Sequence, residues 1–175
     1  MNRKTKRTIC IVATVALVAV VALNSLQLVK TGNRPAAVSL PPALARQVAH
    51  DTRGMNSEQI VDYAVDLTTS KLRFGLSNDI DGGVANCVGY ASLCAAICNR
   101  AFESAGLADR ARPVVGDVRL WSMSVCQGVS ALPFGRRWQA FTHDHDFVQW
   151  THQGKVTYFD PSMKDLVLSR CQTTE

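Results

Sequence analysis

The chain has 175 residues, of which 47% are hydrophobic, so it can bury one core of ordinary size but not two. Its formal net charge is +5, yet five of its 19 basic residues and none of its 14 acidic residues lie in the first 30 positions. Residues 31–175 are therefore neutral overall. This argues against a nucleic-acid-binding protein, because such a protein needs basic residues clustered on its folded part.

The start of the chain has the pattern of an export signal. Residues 1–7 form a basic segment, and an apolar run follows that reaches Leu23 and extends, after a short polar break, to Val29. A basic segment before about 20 apolar residues is typical of a membrane span. We predict that residues 8–29 form a transmembrane signal anchor, with a cleaved signal peptide as the alternative. Both interpretations keep the basic segment cytoplasmic and export the rest to the periplasm or the extracellular space.

The next stretch predicts a linker and then the first helix of a folded domain. Residues 30–42 contain three prolines, which disfavour helices and strand ladders, so we expect a linker there and a folded domain over 43–175. Asn56 and Gln59 have the spacing of a capping box. They predict a helix that begins at Asn56 and continues to about Phe74.

A second predicted helix begins with a cysteine. Cys87 opens an apolar run over 87–104, Asn86 precedes it as a candidate N-cap, and Gly106 follows it as a candidate C-terminal residue with a left-handed backbone. The free N–H groups and the dipole of the first turn favour a thiolate over a thiol. The position therefore suits a nucleophile, although a cysteine in an apolar helix is also a common small core residue.

The rest of the chain has the pattern of strands. We predict strands over 112–121, 138–150 and 155–160, an irregular segment over 122–137, and a hairpin turn at Thr151–Gly154. Two helices followed by an antiparallel sheet give an α+β fold.

The predicted hairpin supplies a base for the cysteine. A turn centred between His152 and Gln153 places His145 directly opposite Asp160, and opposed residues on neighbouring strands point to the same face. Asp160 could then hold one ring nitrogen of His145 and leave the other for a thiol. A different register would remove this pairing.

Three segments together resemble the transglutaminase-like cysteine enzymes, a family of the broad papain-like group. The segment Asn86-Cys87-Val88-Gly89-Tyr90-Ala91 is similar to the nucleophile segment of that family. The segment His145-Asp146-Phe147-Val148-Gln149-Trp150 is similar to its histidine-bearing strand, and Tyr158-Phe159-Asp160-Pro161-Ser162 to its Asp-Pro segment. The resemblance covers roughly residues 56–165, and Asp146-Phe147 departs from the small residue and tryptophan usual in the family.

The resemblance implies a papain-like core with N-terminal helices packed on an antiparallel sheet. It also implies a Cys87–His145–Asp160 triad that forms a thioester from an amide, with no cofactor or metal. Water would resolve the thioester in a peptidase or amidase, and an amine in an acyltransferase. The Cys87 N–H would bind the oxyanion, with Asn86 as a candidate second group. The substrate would be a peptide or protein, in the cell envelope if the domain is exported.

Two other functions fit parts of the pattern. One is a membrane-tethered binding module on the same fold without catalysis. The other is a zinc-dependent hydrolase, because His143 and His145 alternate onto one face of a strand and could bind a metal with Asp160. Asp79 and Asp81 resemble the start of a calcium loop, but the remaining ligands are missing and a turn is the better interpretation.

The remaining cysteines leave the disulfides open. In an oxidising compartment Cys126 and Cys171 are the first pair to consider, because they lie in irregular parts of the sequence. Cys94 and Cys98 lie on the same stripe of the second helix as Cys87, where buried thiols are the simplest interpretation.

Overall fold

The structure is a computed structural model that describes residues 5, 8, 11–15, 25–35, 38–120, 123–124, 144–164 and 171–174, with the backbone alone at 120, 123–124 and 171–174. The helices are α1 (Pro42–Asp51), α2 (Ser57–Lys71) and α3 (Cys87–Ser104). The strands are β1 (Leu26–Asn33), β2 (Arg73–Phe74), β3 (Val84–Ala85), β4 (Arg110–Leu120), β5 (Met123–Ser124), β6 (His145–His152), β7 (Lys155–Asp160) and β8 (Cys171–Thr174). The predicted α+β class is confirmed.

One antiparallel sheet organises the molecule. Its strand order is β1-β4-β6-β7-β8, with β5 paired to β4, and β1 also approaches β8, so the sheet is curled. The face towards α3 contributes Val148, Trp150 and Phe159 to the main core. The opposite face has a smaller apolar cluster, which consists of Leu28, Val114, Phe147 and Tyr158. The sheet is thus covered by helices on one side and packs on itself on the other.

Both predicted helices begin at their predicted caps. The Asn56 side chain accepts a hydrogen bond from the Gln59 N–H, and the Gln59 side chain accepts from the Asn56 N–H, so the capping box is complete. This helix ends at Lys71, three residues before the predicted end. The second helix has its predicted bounds and lies in the middle of the core, and Gly106 follows it with a φ of 70°. Local capping chemistry therefore determines where both helices begin.

The predicted linker over 30–42 is wrong at both ends. Residues 26–33 form strand β1, which pairs with β4 from Leu26 opposite Leu120 to Asn33 opposite Val114. Leu28 is 1% exposed in the smaller apolar cluster, so this part of the chain packs in the sheet. Pro42 begins α1, where a proline is tolerated because the first N–H groups of a helix have no partner inside it. The sheet therefore begins well before residue 43.

The predicted membrane segment is described only in part. Half of residues 8–29, namely 9–10 and 16–24, lie outside the described residues; residues 11–15 are helical, and the last four, 26–29, belong to strand β1 instead of the predicted anchor. Within the described ranges, no helix combines the length and the apolar character that crossing a bilayer requires.

The hairpin between β6 and β7 turns one residue later than predicted. His152 pairs with Lys155, and Gln153 and Gly154 form the turn with φ angles of 49° and 81°. Two consecutive positive φ angles are typical of a type I′ turn, whose twist matches that of the flanking strands, and glycine is the residue that adopts them most easily. The prediction that His145 lies directly opposite Asp160 is therefore wrong. Residues 138–143 of the predicted strand, and 122 and 125–137 of the irregular segment, lie outside the described residues.

Candidate active site

Cys87 is the first residue of α3. The Asn86 side-chain oxygen accepts a hydrogen bond of 3.0 Å from the Val88 N–H and so caps the helix. This uses one of the unpaired N–H groups of the first turn. Cys87 is 6% exposed, so its thiol lies at the positive end of a helix and is largely shielded from water.

A loop packs closely against the first turn of α3. A β carbon on Gly89 would lie 2.5 Å from the Asn78 side-chain oxygen and 2.6 Å from the Ala85 β carbon. Only glycine leaves room for this approach. Gly89 therefore shapes the surroundings of Cys87, a role that the sequence analysis did not assign to it.

His145 and Asp160 are in contact although they are not directly opposed. His145 Nε2 lies 2.5 Å from Asp160 Oδ2. Because the turn lies one residue later than predicted, each residue of β6 faces a residue of β7 two positions away from its predicted partner. A shift of two positions keeps the facing side chains on the same face of the sheet. His145 and Asp160 thus become diagonal neighbours, which remain within reach of long side chains.

Asp160 is completely buried and fully hydrogen-bonded. Its Oδ1 accepts from the Ser162 N–H at 2.8 Å and from the Ser162 hydroxyl at 2.7 Å, while Oδ2 faces His145. Asp160 caps the short 3₁₀ helix Pro161–Met163, and Ser162 is 1% exposed. The sequence analysis missed the role of Ser162, although the segment Asp-Pro-Ser is typical of an aspartate that caps its own turn.

The surroundings of His145 favour its protonated form. Burial lowers the pKa of His145, but the charge of Asp160, the hydrogen bond with Asp160 and the contact with Cys87 together raise the pKa well above its ordinary value. Since Nε2 is bound to Asp160, Nδ1 is the ring nitrogen that remains for Cys87. The structure thus brings together Cys87, His145 and Asp160, the three residues predicted as a triad.

The His145 ring rests against aromatic side chains of the smaller apolar cluster. Its ring centroid lies 6.4 Å from that of Phe147, and Phe147 meets Tyr158 edge-on at 5.7 Å. Gly116 is paired with His145, and a β carbon there would lie 2.8 Å from the Phe147 ring and 2.2 Å from the Val29 carbonyl oxygen. Gly116 therefore lets the ring that supports His145 approach the sheet.

A second histidine binds a carboxylate at the other end of β6. His152 Nδ1 lies 3.0 Å from both Asp109 oxygens, and Trp150 Nε1 donates to Asp109 at 3.0 Å. Burial raises the pKa of Asp109, but hydrogen bonds from Ser57, His152 and Trp150 leave the pKa below its ordinary value. This cluster ties the hairpin to the start of α2, and His152 thus does more than form the turn assigned to it.

The residues predicted as alternative zinc or calcium ligands, and the remaining cysteines, are described only in part. His143 lies outside the described residues, and no three histidine, cysteine or acidic residues of the described ranges are close enough to bind a metal. Asp79 accepts a hydrogen bond of 2.9 Å from the Gly82 N–H, as expected for a turn. Cys94 and Cys98 are buried thiols in α3, while Cys126 and the side chain of Cys171 lie outside the described part.

Comparisons of the chain with protein-family models, with curated proteins and with solved structures find no match. The resemblance to transglutaminase-like enzymes therefore rests on the three segments quoted above, and it stays a prediction.

Proposed function

We propose that this protein is a cysteine enzyme that acts on amide bonds through Cys87, His145 and Asp160, on a core of the papain-like, transglutaminase-like kind. The observation that carries the proposal is the convergence of three elements on one histidine. The 2.5 Å contact to a buried carboxylate fixes one ring nitrogen, and the other is left for a thiol at the start of a buried helix. This is the arrangement that nucleophilic catalysis by a thiol requires.

The proposed reaction has two steps. In the first, the Cys87 sulfur attacks the amide carbonyl and forms a C–S bond, its proton having passed to His145. The C–N bond then breaks, and His145 returns the proton to the departing amine. In the second, water or another amine gives a proton to His145 and attacks the thioester, which breaks the C–S bond and restores the thiol. The Asp160 carboxylate stabilises the imidazolium in both steps.

The negative oxygen formed in each step would lie at the start of α3. Backbone N–H groups of a helix N-terminus, that of Cys87 among them, are suited to bind developing negative charge. The side-chain oxygen of Asn86 is used by the cap, so its NH₂ group is the part available to the oxyanion. We keep Asn86 as the candidate second donor on this basis.

The proposed substrate is a peptide or protein of the cell envelope. This part of the proposal rests on residues 1–23, a basic segment followed by an apolar run, which are typical of a signal anchor or signal peptide. An anchored enzyme would act on substrates close to the outer face of the membrane.

Thiol reactivity tests the proposed triad before any substrate is known. The full chain, purified in detergent, is treated with iodoacetamide between pH 5 and pH 9, and peptide mass mapping follows each cysteine. We expect Cys87 to react fastest below pH 7, and to lose this advantage in His145→Ala. The same chain unfolded in urea is the reference for an ordinary thiol. If Cys87 reacts no faster in the folded chain, or ignores His145, the triad is wrong and a non-catalytic binding module becomes the better hypothesis.

A second assay distinguishes hydrolysis from acyl transfer. Release of a fluorescent amine from peptide amides measures hydrolysis, and incorporation of a fluorescent primary amine into a glutamine-containing peptide measures transfer. Cys87→Ala is the control for both, because it removes the nucleophile and adds no new group. Activity that survives in Cys87→Ala would contradict the proposal.

A further inference from the structure

We infer that Arg34 is a positioning residue for His145. It binds Asp144 and Asp146, the aspartates on either side of the histidine, and so fixes the start of β6. The inference rests on the proposed function, since His145 matters here as the base. Arg34 lies just after β1, in the stretch where the sequence predicts a linker.

Arg34 binds two carboxylates at once. Its Nε donates to Asp146 Oδ2 at 2.9 Å, and its Nη2 donates to Asp146 Oδ1 at 2.8 Å. The same Nη2 lies 2.9 Å from Asp144 Oδ2. The two parallel bonds to Asp146 are the paired geometry that a guanidinium forms with a carboxylate and that an ammonium cannot reproduce.

The Asp146 carboxylate is buried and needs this partner. Its side chain is 0% exposed, whereas Arg34 is 31% exposed and Asp144 is 57% exposed. A buried ionised carboxylate without a partner is strongly unfavourable. Asp146 stands where the resembled family has a small residue, so Arg34 and Asp146 together account for that departure.

Arg34, Asp144 and Asp146 lie where β6 is paired with a neighbouring strand on one side only. Pairing with β4 reaches His145, which lies opposite Gly116. Pairing with β7 begins only at Val148, opposite Phe159. Residues 145–147 therefore lack a ladder on the β7 side. Arg34, bound at positions 144 and 146, supplies a constraint on this stretch that the ladder does not.

Arg34 acts on the backbone of His145 and not on its ring. Successive side chains of a strand point to opposite faces, so Asp146 lies on the face opposite His145. The bonds described for Arg34 are with the side chains of Asp146 and Asp144, on either side of His145, and none of them is with the His145 ring. Arg34 is thus a positioning residue, and its loss should change the angle at which His145 meets Cys87.

The test is the pH profile of Cys87 alkylation in variants of the full chain. Arg34→Lys keeps the charge and loses the paired bonds, so we expect the Cys87 rate at pH 6 to fall about tenfold, since small displacements of a catalytic group have effects of this size. Arg34→Gln combined with Asp146→Asn avoids an unpaired buried charge, and the same loss of rate is expected because glutamine cannot bridge positions 144 and 146. Arg119→Lys is the matched control, because the ion pair described for Arg119 is with Asp117 on the same strand, at 3.3 Å. Its Cys87 rate should stay within about twofold of the parent chain.

Thermal unfolding, measured alongside, separates positioning from simple stability. If Arg34→Lys lowers the melting temperature but leaves the pH profile of Cys87 unchanged, Arg34 is only structural and the inference is overturned. If Cys87 of the parent chain shows no His145-dependent reactivity, the proposed function fails first, and the inference falls with it. The inference is supported if Cys87 is alkylated fast in the parent chain and in Arg119→Lys, and slowly in both Arg34 variants.

Discussion

Asp160→Asn should disable the histidine without changing the shape of the site. Two donors of Ser162, its N–H and its hydroxyl, point at Oδ1, so the asparagine must turn its carbonyl oxygen towards Ser162. Its NH₂ group then faces His145 Nε2. A donor at that position forces Nε2 to act as an acceptor and moves the ring proton to Nδ1. The nitrogen that faces Cys87 would then carry a proton and could not accept one.

The size of the effect follows from the ionisation of a thiol. An unperturbed cysteine is about 0.3% thiolate at pH 6, so an imidazolium that holds the thiolate raises its population by up to about 300-fold. A more weakly basic thiolate is a poorer nucleophile, which reduces the expected gain in alkylation rate to about 20-fold. Asp160→Asn should therefore slow Cys87 alkylation at pH 6 by about 20-fold. It should also lower the free energy of unfolding by about 1.5–3 kcal/mol, because charge-assisted hydrogen bonds to a buried carboxylate are lost.

Two measurements check this prediction. Mass mapping after iodoacetamide gives the alkylation rate, and urea unfolding between pH 6 and pH 9 gives the stability. The pKa of His145 is raised above 6.5, so its proton stabilises the fold fully below pH 6.5 and less as the pH rises through the raised value. The difference in unfolding free energy between parent and variant should therefore shrink towards pH 9. An unchanged alkylation rate at pH 6, or a difference that grows with pH, would refute the reasoning.

Three further predictions address the supports of the site. Ser162→Ala removes one of the two donors to Oδ1 of Asp160, so we expect about 1 kcal/mol less stability and slower Cys87 alkylation at pH 6; an unchanged rate would show that the N–H donor suffices. Gly116→Ala places a methyl group 2.2 Å from the Val29 carbonyl oxygen, and urea unfolding should show a loss of about 1–3 kcal/mol; a stable variant would contradict this close approach. A fragment of residues 43–175 lacks β1, so circular dichroism should show a lower melting temperature than a chain that begins at residue 25; equal melting temperatures would show that β1 is dispensable.

The helices could be predicted because their ends depend on nearby residues. Asn86 and Gly106 lie within two residues of the ends of α3, and Asn56 and Gln59 form the capping box of α2 within four residues. Backbone N–H groups at a helix start need a partner, and a side chain close in sequence is the simplest one. Cys87 could be placed at a helix start for the same reason.

The two predicted strands of the hairpin overlap β6 and β7, but the predicted register is wrong. Residues 155–160 form a strand, as predicted, but the position of the turn required a choice between His152-Gln153 and Gln153-Gly154. The second choice places Gly154 at a position where φ is 81°. Glycine adopts a positive φ most easily, and this preference favours the turn at Gln153-Gly154. His145 and Asp160 are still in contact because the predicted and the observed registers differ by two positions, which leaves both side chains on the same face of the sheet.

Strand β1 and the contact of Arg34 with Asp146 could not be predicted by the same reasoning. Leu26 and Leu28 continue an apolar run, so a membrane segment and a strand have the same composition there. Their partners on β4 lie far along the chain, and Asp146, the partner of Arg34, lies further still. No local rule connects residues at such distances, and only the folded sheet shows that they meet.

The pairing of β1 with β4 has a consequence for how the domain is made. In the proposed export the residues next to the membrane segment cross first, so β1 is exposed long before Leu120, the partner of Leu26, has followed. Until then the edge of β1 has unpaired N–H and C=O groups that could add to a strand of another chain. Contacts this distant in sequence also slow folding, to milliseconds or seconds in domains dominated by them. Yield in the cell should therefore depend on how quickly the second half of the chain is exported, as much as on the stability of the finished fold.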